Sequence, residues 1–311
     1  MYKGRRVAVV IPAYNEERFI GQVIRALPEF VDKIIIVDDC SQDCTYQVAS
    51  SQGDDRVIVA KTAHNQGVGG ATILGYHHAL EVGSDIVVKM DADGQMDPQC
   101  LPGLLDAIIE KDYDYVKGNR FLAGESLANM PKHRLLGNIV LTFMTKLASG
   151  YWHIFDPQNG YTAIKADVLS QLDLEAIHKG YFFENDMLLQ LNLHGARVKD
   201  VAIPARYGEE ESGINSVQVV LTFPFLLLRR FFHRIYQKYV LRDFSPIALF
   251  LLIGLGLFAW GSLFGVYLWV KSLLTGHPTP TGTIMLAVLP LILGFQLLLQ
   301  AIVLDIQETP K

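Results

Sequence analysis

Apolar residues fall into two regimes along this 311-residue chain. In the first, short β-rich runs, "RVAVVI", "KIIIVDD", "RVIVAK" and "DIVVKMD", start near residues 6, 33, 56 and 85. Helix-period segments such as "EERFIGQVIRALPEF" and "GGATILGYHHALEVG" lie between them. Nearly continuous apolar runs belong to strands buried on both faces, so the alternation predicts a parallel α/β sheet covered by helices. Ligands of such sheets bind at the carboxyl ends of the strands. The polar clusters "PAYNEE", "DDCSQD", "HNQGVGG" and "DADGQ" stand at those four ends.

The second regime begins near Val217. "SPIALFLLIGLGLFAWGSLFGVYLWV", Ser245 to Val270, carries no charge, and neither does Thr283 to Leu304. About 20 apolar residues cross a bilayer core, so both runs predict transmembrane helices, 245–270 and 283–304, joined by a short loop over 271–282. Trp269 and Tyr267 suit an interface, whereas Trp260 falls mid-span. Small residues Gly254, Gly256, Gly261 and Gly265 would let membrane helices pack closely, within the chain or in a homo-oligomer.

Charge sharpens the division. The whole chain has 27 Lys and Arg against 32 Asp and Glu. Five of those bases, Arg229, Arg230, Arg234, Lys238 and Arg242, lie in an acid-free collar within an amphipathic, interfacial segment over 216–244. The remainder is therefore acidic, and no nucleic acid is expected as a partner. By the positive-inside rule the collar puts the start of the first span on the cytoplasmic side. The expectation is an integral membrane protein with the 1–215 domain, the 305–311 tail and both termini cytoplasmic. "VAVVIPAY" is too short and too early for a signal peptide. Cys40, Cys44 and Cys100 fit neither a disulfide framework nor a zinc pattern and read as packing residues.

Candidate chemistry concentrates on the rim. Asp91 and Asp93 flank Ala92, so in an extended segment both carboxylates point to one side. Mg²⁺ usually takes one or two protein carboxylates plus phosphate oxygens, and such a cation would neutralise both the pair and a departing diphosphate. Asp38 and Asp39 close the second run. Ser41 or Asp43 would cap the helix near Thr45, leaving a carboxylate for ribose or base. "HNQGVGGA" lacks dinucleotide-fingerprint spacing, but glycines opening a helix at Gly67 permit close backbone approach to a nucleotide. His64 reads as a surface or packing residue. "VKGNRF" offers Arg120, and "DPQNGYTAIK" offers Asp156, Gln158 and Asn159, with Asp156 among the catalytic candidates. Glu184 and Asp186 stand at a helix start, where acids favour the dipole. Arg206 could clamp a phosphate, and Arg229 and Arg230 could meet a lipid phosphate.

"PAYNEE", "VDDCSQDCT", "NQGVGGA" and "DADGQMDP", in this order, resemble the nucleotide-sugar domain of family 2 glycosyltransferases. With the C-terminal helices, the chain is most similar to polyisoprenyl-phosphate glycosyltransferases of the dolichol-phosphate-mannose-synthase branch. The resemblance implies a GT-A nucleotide-diphospho-sugar transferase fold, Rossmann-like with a mostly parallel sheet, over about 6–215. It makes Asp91, Asp93 and Gln95 the metal and diphosphate site, for Mg²⁺ or Mn²⁺. It makes Pro12, Tyr14, Glu16, Asp38 or Asp39, and Asn65 the nucleotide pocket. Arg120 corresponds to a Gly-Ser-Arg-like arginine, although Asn119 replaces the usual Ser or Thr. Arg206 and Ser212 match a loop near the phosphates, with Gly213 where a base is frequent. No Q-x-x-R-W motif of processive synthases occurs.

The expected activity is inverting transfer of a sugar from a nucleotide sugar, UDP-glucose first, to a polyprenyl phosphate in the bilayer. GDP-mannose is the alternative donor. A membrane-anchored scaffold and a nucleotidyltransferase are the rivals, weakened respectively by the intact acids at all four ends and by the lack of a glycine-rich triphosphate loop.

Overall fold

The computed structural model describes residues 1–122, 132–204, 216–242 and 244–310. The chain forms two compact units, Met1–Arg230 with Pro310–Lys311, and Phe231–Thr309.

The first unit is built on strands β1 (Val7–Ala13), β2 (Lys33–Asp38), β3 (Val57–Lys61), β4 (Ile86–Lys89), β5 (Tyr115–Asn119), β6 (Thr162–Lys165) and β7 (Val198–Ala202). They form one sheet in the order β3-β2-β1-β4-β6-β5-β7. All seven residues of β1 are buried, and the two faces are covered by different helices. Val7, Val9 and Ile11 join a core with residues of α1 (Ile20–Ala26) and α4 (Leu101–Ile109). Ala8 and Val10 face α3 (Gly67–Glu81) and α7 (Phe183–Leu193). An apolar residue at every position is what two-sided burial requires, at about 1.5–3 kcal/mol for each large side chain.

The sheet departs from all-parallel pairing at one strand. β6 runs antiparallel to both β4 and β5, while β7 is parallel to β5. The segment that leaves β5, passing through α5 (Lys132–Ser149), re-enters the sheet at the edge where β5 ended. That direct return makes β6 antiparallel and carries the chain before it, residues 156–160, to the carboxyl ends of β4 and β5.

The second unit contains two long helices, α9 (Pro246–Thr275) and α10 (Thr281–Gln307). α9 passes the expected end at Val270, because no breaker follows until Gly276, which takes the left-handed conformation at φ 66°. The loop foreseen over 271–282 thus shrinks to 276–280, and the tail foreseen from Asp305 starts after Gln307. The helices meet at glycines: a Cβ on Gly261 would lie 2.6 Å from the Leu291 nitrogen, and one on Gly294 2.5 Å from the Phe258 nitrogen. Gly254 shares this seam, but Gly256 faces open space and Gly265 makes only an ordinary contact with Ala287. Before α9, a π-helical stretch, Tyr236–Arg242, follows α8 (Ser216–Ile235). Arg234 there is fully buried and binds Asp305 through two hydrogen bonds, 2.7 and 2.9 Å, with the Tyr239 hydroxyl donating to the same carboxylate at 2.7 Å. Large apolar side chains on both helices face outward: Leu263 is 73% and Trp269 68% exposed on α9, and Leu286 61% on α10. Helices of a soluble core would bury these, so the pair is read as membrane-anchoring.

Candidate active site

Strand order explains why the polar clusters converge. From β1 the chain winds outward through β2 and β3, then crosses to β4 on the other side of β1. The reversal opens a crevice at the carboxyl ends of β1 and β4, the usual ligand position of open α/β sheets. Pro12 lies near the end of β1 with Tyr14 and Glu16 just after it, Asp38 ends β2 with Asp39 next, and Asp91, Asp93 and Gln95 follow β4. β6 adds Asp156–Gly160 from its amino end, and β5 adds Arg120.

At the end of β4, Asp91 is one-third exposed and its Oδ1 accepts a hydrogen bond of 2.8 Å from Lys89. Lys89 is buried on the strand and also pairs with Glu184 of α7 at 3.1 Å. Burial alone would lower the lysine's pKa, but the Asp91 and Glu184 carboxylates outweigh it and hold it above its ordinary range. Asp93 Oδ1 accepts from the Gln95 backbone N–H at 2.9 Å across the turn that Gly94 makes at φ 73°. Glu184 and Asp186 stand in the first turn of α7, as their position at a helix start implied, and each also has a partner elsewhere. Glu184 serves Lys89, and Asp186 accepts from the His178 N–H at 2.9 Å and from Arg230 at 2.5 Å. Desolvation still raises the Asp186 pKa despite that arginine.

On the β1–β2 side the two adjacent aspartates separate by role. Asp39 accepts from the Thr62 hydroxyl at 2.9 Å and from the Gln66 and Gly67 N–H groups at 2.8 and 2.7 Å, so it fastens the entry to α3. Asp38 accepts from the Ser41 N–H at 3.2 Å and lies 3.2 Å from Lys61. Asp43 accepts from the Thr45 N–H at 3.0 Å, while Ser41 instead takes the Asn15 N–H at 2.9 Å. Tyr14 is 44% exposed and Pro12 is buried. Asn65 Oδ1 accepts from the Gly67 N–H at 3.1 Å.

The glycines after β3 do something other than expected. A Cβ on Gly67 would lie 2.8 Å from the Lys179 carbonyl, and one on Gly69 2.6 Å from the His178 carbonyl. The close approach they permit is to the chain's own segment 178–180, and Gly67 is spent on it. Cys44 is exposed, so packing does not account for it. His64 is exposed, in keeping with a surface residue.

Arg120 is held in place. Its Nε and Nη2 each donate to Asp156 at 2.8 Å, while the side chain stays 40% exposed. Asp156 is buried and adopts a left-handed backbone, φ 48°. Burial would raise its pKa, but Arg120 and Lys117 hold it below the usual carboxylate range. Lys117, buried inside β5, donates to the Asp156 and Asn159 carbonyls at 2.5 and 2.7 Å and so shapes this loop. Desolvation pushes Lys117 down to about 8. Asn119 bonds Asp200 through Nδ2 at 2.7 Å, and its Oδ1 accepts from the Phe121 N–H at 2.9 Å, so the amide divides between two atoms the donor and acceptor tasks that a hydroxyl would have to combine in one. Arg120, Phe121, Leu141, Thr142, Asp156, Pro157 and Gln158 line a small pocket.

The remaining candidates are dispersed. Arg206 and Ser212 lie outside the described residues. Arg229 is exposed, whereas Arg230 is already engaged by Asp186 and the Ala176 carbonyl and so is not available to a lipid phosphate as foreseen. Lys89 and Lys117 went unnoticed in the sequence. Their signal was a lysine set inside a buried-type strand, "VVKMD" and "YVKGN".

Among the described residues no group of three or more His, Cys, Asp or Glu could hold a metal by itself. Asp91 and Asp93 offer hard oxygens, and Gly160 leaves clear the space in which its Cβ would come 2.9 Å from Asp91 Oδ2. Two carboxylates with substrate oxygens completing the shell fit Mg²⁺ or Mn²⁺.

The fold is the GT-A, Rossmann-like fold of nucleotide-sugar transferases, with a mixed, mostly parallel sheet. The family model described as "Glycosyl transferase family 2" matches residues 8–173, and the chain belongs to that family. It is 34% identical to the UDP-N-acetylglucosamine–dolichyl-phosphate N-acetylglucosaminyltransferase of Methanococcus voltae, over 65% of this chain and 86% of that one. It is 35% identical to the undecaprenyl-phosphate mannosyltransferase of Micrococcus luteus, over 67% and 86%. A crystal structure of glucosyl-3-phosphoglycerate synthase from Mycobacterium tuberculosis with Mn²⁺ and UDP-glucose superposes with a TM-score of 0.55, at 21% identity, over 74% of this chain and 79% of that one.

Proposed function

We propose that this protein transfers a sugar from a nucleotide sugar to a polyprenyl phosphate, using Asp91 and Asp93 with Mg²⁺ or Mn²⁺. The observation that carries the reading is a family 2 rim with this acidic pair in the same chain as two helices whose apolar faces are exposed. Such helices place the enzyme where a polyprenyl acceptor resides. Mannose replaces the glucose first expected. The Micrococcus luteus relative is a mannosyltransferase, whereas the structure with UDP-glucose, at 21% identity, speaks to fold. N-acetylglucosamine is the second reading, favoured by the Methanococcus voltae relative.

In the reaction an acceptor phosphate oxygen attacks the anomeric carbon as the bond to the nucleoside diphosphate breaks, and the diphosphate leaves with the electron pair. The anomeric centre inverts. A phosphate monoester, with a second pKa near about 6, is already largely anionic and needs no strong base. When bound, the cation supplies charge neutralisation at the leaving diphosphate. Asp38, Pro12, Tyr14, Glu16 and Asn65 hold the nucleotide. Arg120, fixed by Asp156, presents a cation to the acceptor phosphate. The positive-inside rule, applied to the basic collar, supports a cytoplasmic site.

The test is transfer of radiolabel from GDP-mannose, UDP-N-acetylglucosamine and UDP-glucose into the organic phase by purified protein with polyprenyl phosphate and Mg²⁺ or Mn²⁺. One donor should give label that a chelator abolishes. Asp93→Asn should remove most of this transfer while leaving the protein folded and membrane-bound. Near-normal activity of that variant would sink the metal assignment.

A further inference from the structure

The Lys89 ammonium lies between two carboxylates from distant parts of the chain. It touches Asp91 Oδ1 at 2.8 Å and Glu184 Oε1 at 3.1 Å, and its side chain is 1% exposed. An ammonium, with three donors at the end of a flexible stem, can serve both acids from inside β4. Gly160 stands beside the arrangement, where a Cβ would overlap the lysine nitrogen and crowd both Asp91 oxygens. Asp91 is thus gripped from behind by one oxygen while a third of its side chain remains exposed at the rim.

We propose that Lys89 is a positioning residue for the cation site: it anchors Asp91 through Oδ1 so that Oδ2 is presented to the divalent cation, with Glu184 anchoring the lysine in turn. The inference rests on the metal reading above. Carboxylates that bind metals are oriented by outer partners, and loss of such a partner typically weakens metal binding about 10–100-fold. The lysine also serves as partner to Glu184, so that acid is not left unpaired in the core.

A purely structural lysine would merely neutralise Glu184, and the two roles separate by experiment. Full-length protein in detergent is titrated with Mn²⁺ in the presence of GDP or UDP, free Mn²⁺ is followed by its paramagnetic resonance, and the thermal midpoint is recorded in parallel. Lys89→Met leaves Glu184 buried without its partner, so it should lose both stability and Mn²⁺ affinity. Adding Glu184→Gln removes the stranded charge. The double variant should regain most of the thermal midpoint yet bind Mn²⁺ about 10–100-fold more weakly than wild type. Gly160→Ala, which changes no charge but displaces the ammonium, should weaken Mn²⁺ in the same direction. If the double variant binds Mn²⁺ within about twofold of wild type, or Gly160→Ala binds unchanged, the positioning role is overturned while the metal reading stands. Wild-type protein that binds no Mn²⁺ with either nucleotide overturns the metal reading itself and this proposal with it.

Discussion

Asp200→Asn should flatten a pH dependence that the wild-type protein carries. Asp200 sits on β7 with Oδ2 accepting from Asn119 Nδ2 and the Phe155 N–H, both at 2.7 Å. Its Oδ1 is buried and has no partner among the described residues. Burial, only partly countered by Lys117, pushes the carboxyl up to about 6 from an ordinary 3.8. Between those values the folded protein holds a proton that the unfolded chain has released, so stability rises as pH falls from 7 toward 5. Integrated over that window, the shift contributes about 1 kcal/mol, and for a unit of this size that moves the thermal midpoint by roughly 2–4 °C. Asparagine keeps an oxygen for the two donors but has no proton to gain. It also escapes the cost of charging this site at pH 7, against which stands about 1–3 kcal/mol for an amide left without an acceptor. The absolute change is therefore small, and the slope is the decisive quantity. Thermal unfolding of full-length wild type and variant in the same detergent, at pH 7, 6 and 5, gives the difference directly, because distant titrations such as that of Asp186 cancel between the two. A variant whose midpoint follows the wild-type pH slope would refute the assignment of that slope to Asp200.

Asp156→Asn tests the grip on Arg120. Asparagine tolerates the left-handed backbone, so the fold should survive, while loss of a charge-assisted fork worth about 1.5–3 kcal/mol should raise the KM for polyprenyl phosphate more than that for the nucleotide sugar. An unchanged acceptor KM would remove Arg120 from the acceptor side. In the helix pair, Gly261→Val puts a branched side chain into the Leu291 and Ala287 backbone and should cost about 1–3 kcal/mol or more, whereas Gly256→Val points into open space. Thermal midpoints of the two variants check this, and equal values would contradict the glycine seam.

What the sequence made legible was what depends on local period. Strands β1 to β4 could be read because a short run of consecutive β-branched and other apolar residues between polar clusters has one physical meaning, a strand of a helix-covered sheet. The four polar clusters could be assigned to one rim because parallel strands deliver their carboxyl ends together. What stayed hidden depends on pairing across long stretches of chain. Nothing in "YTAIK" states that β6 runs against its neighbours, yet that reversal is what brings Asp156 to Arg120. The same limit governs the glycines of α3, whose close neighbours, the His178 and Lys179 carbonyls, lie more than a hundred residues away.

Charged residues in the strands carry the opposite lesson. Lys89 and Lys117 each interrupt an apolar run, a placement that burial makes costly unless each ammonium finds acceptors. Both find them at the rim, Lys89 in two carboxylates and Lys117 in two loop carbonyls. A lysine inside a two-sided strand therefore marks, from the sequence alone, where buried acceptors must gather. In this chain both gatherings lie directly behind partly exposed residues of the rim, Asp91 and the Arg120 that Asp156 holds. Specifying the site this way concentrates polar groups where hydrophobic packing would otherwise be simplest, so the same substitutions that disturb metal or acceptor binding should also register in stability. Paired variants that restore charge balance are for that reason needed to separate the two effects.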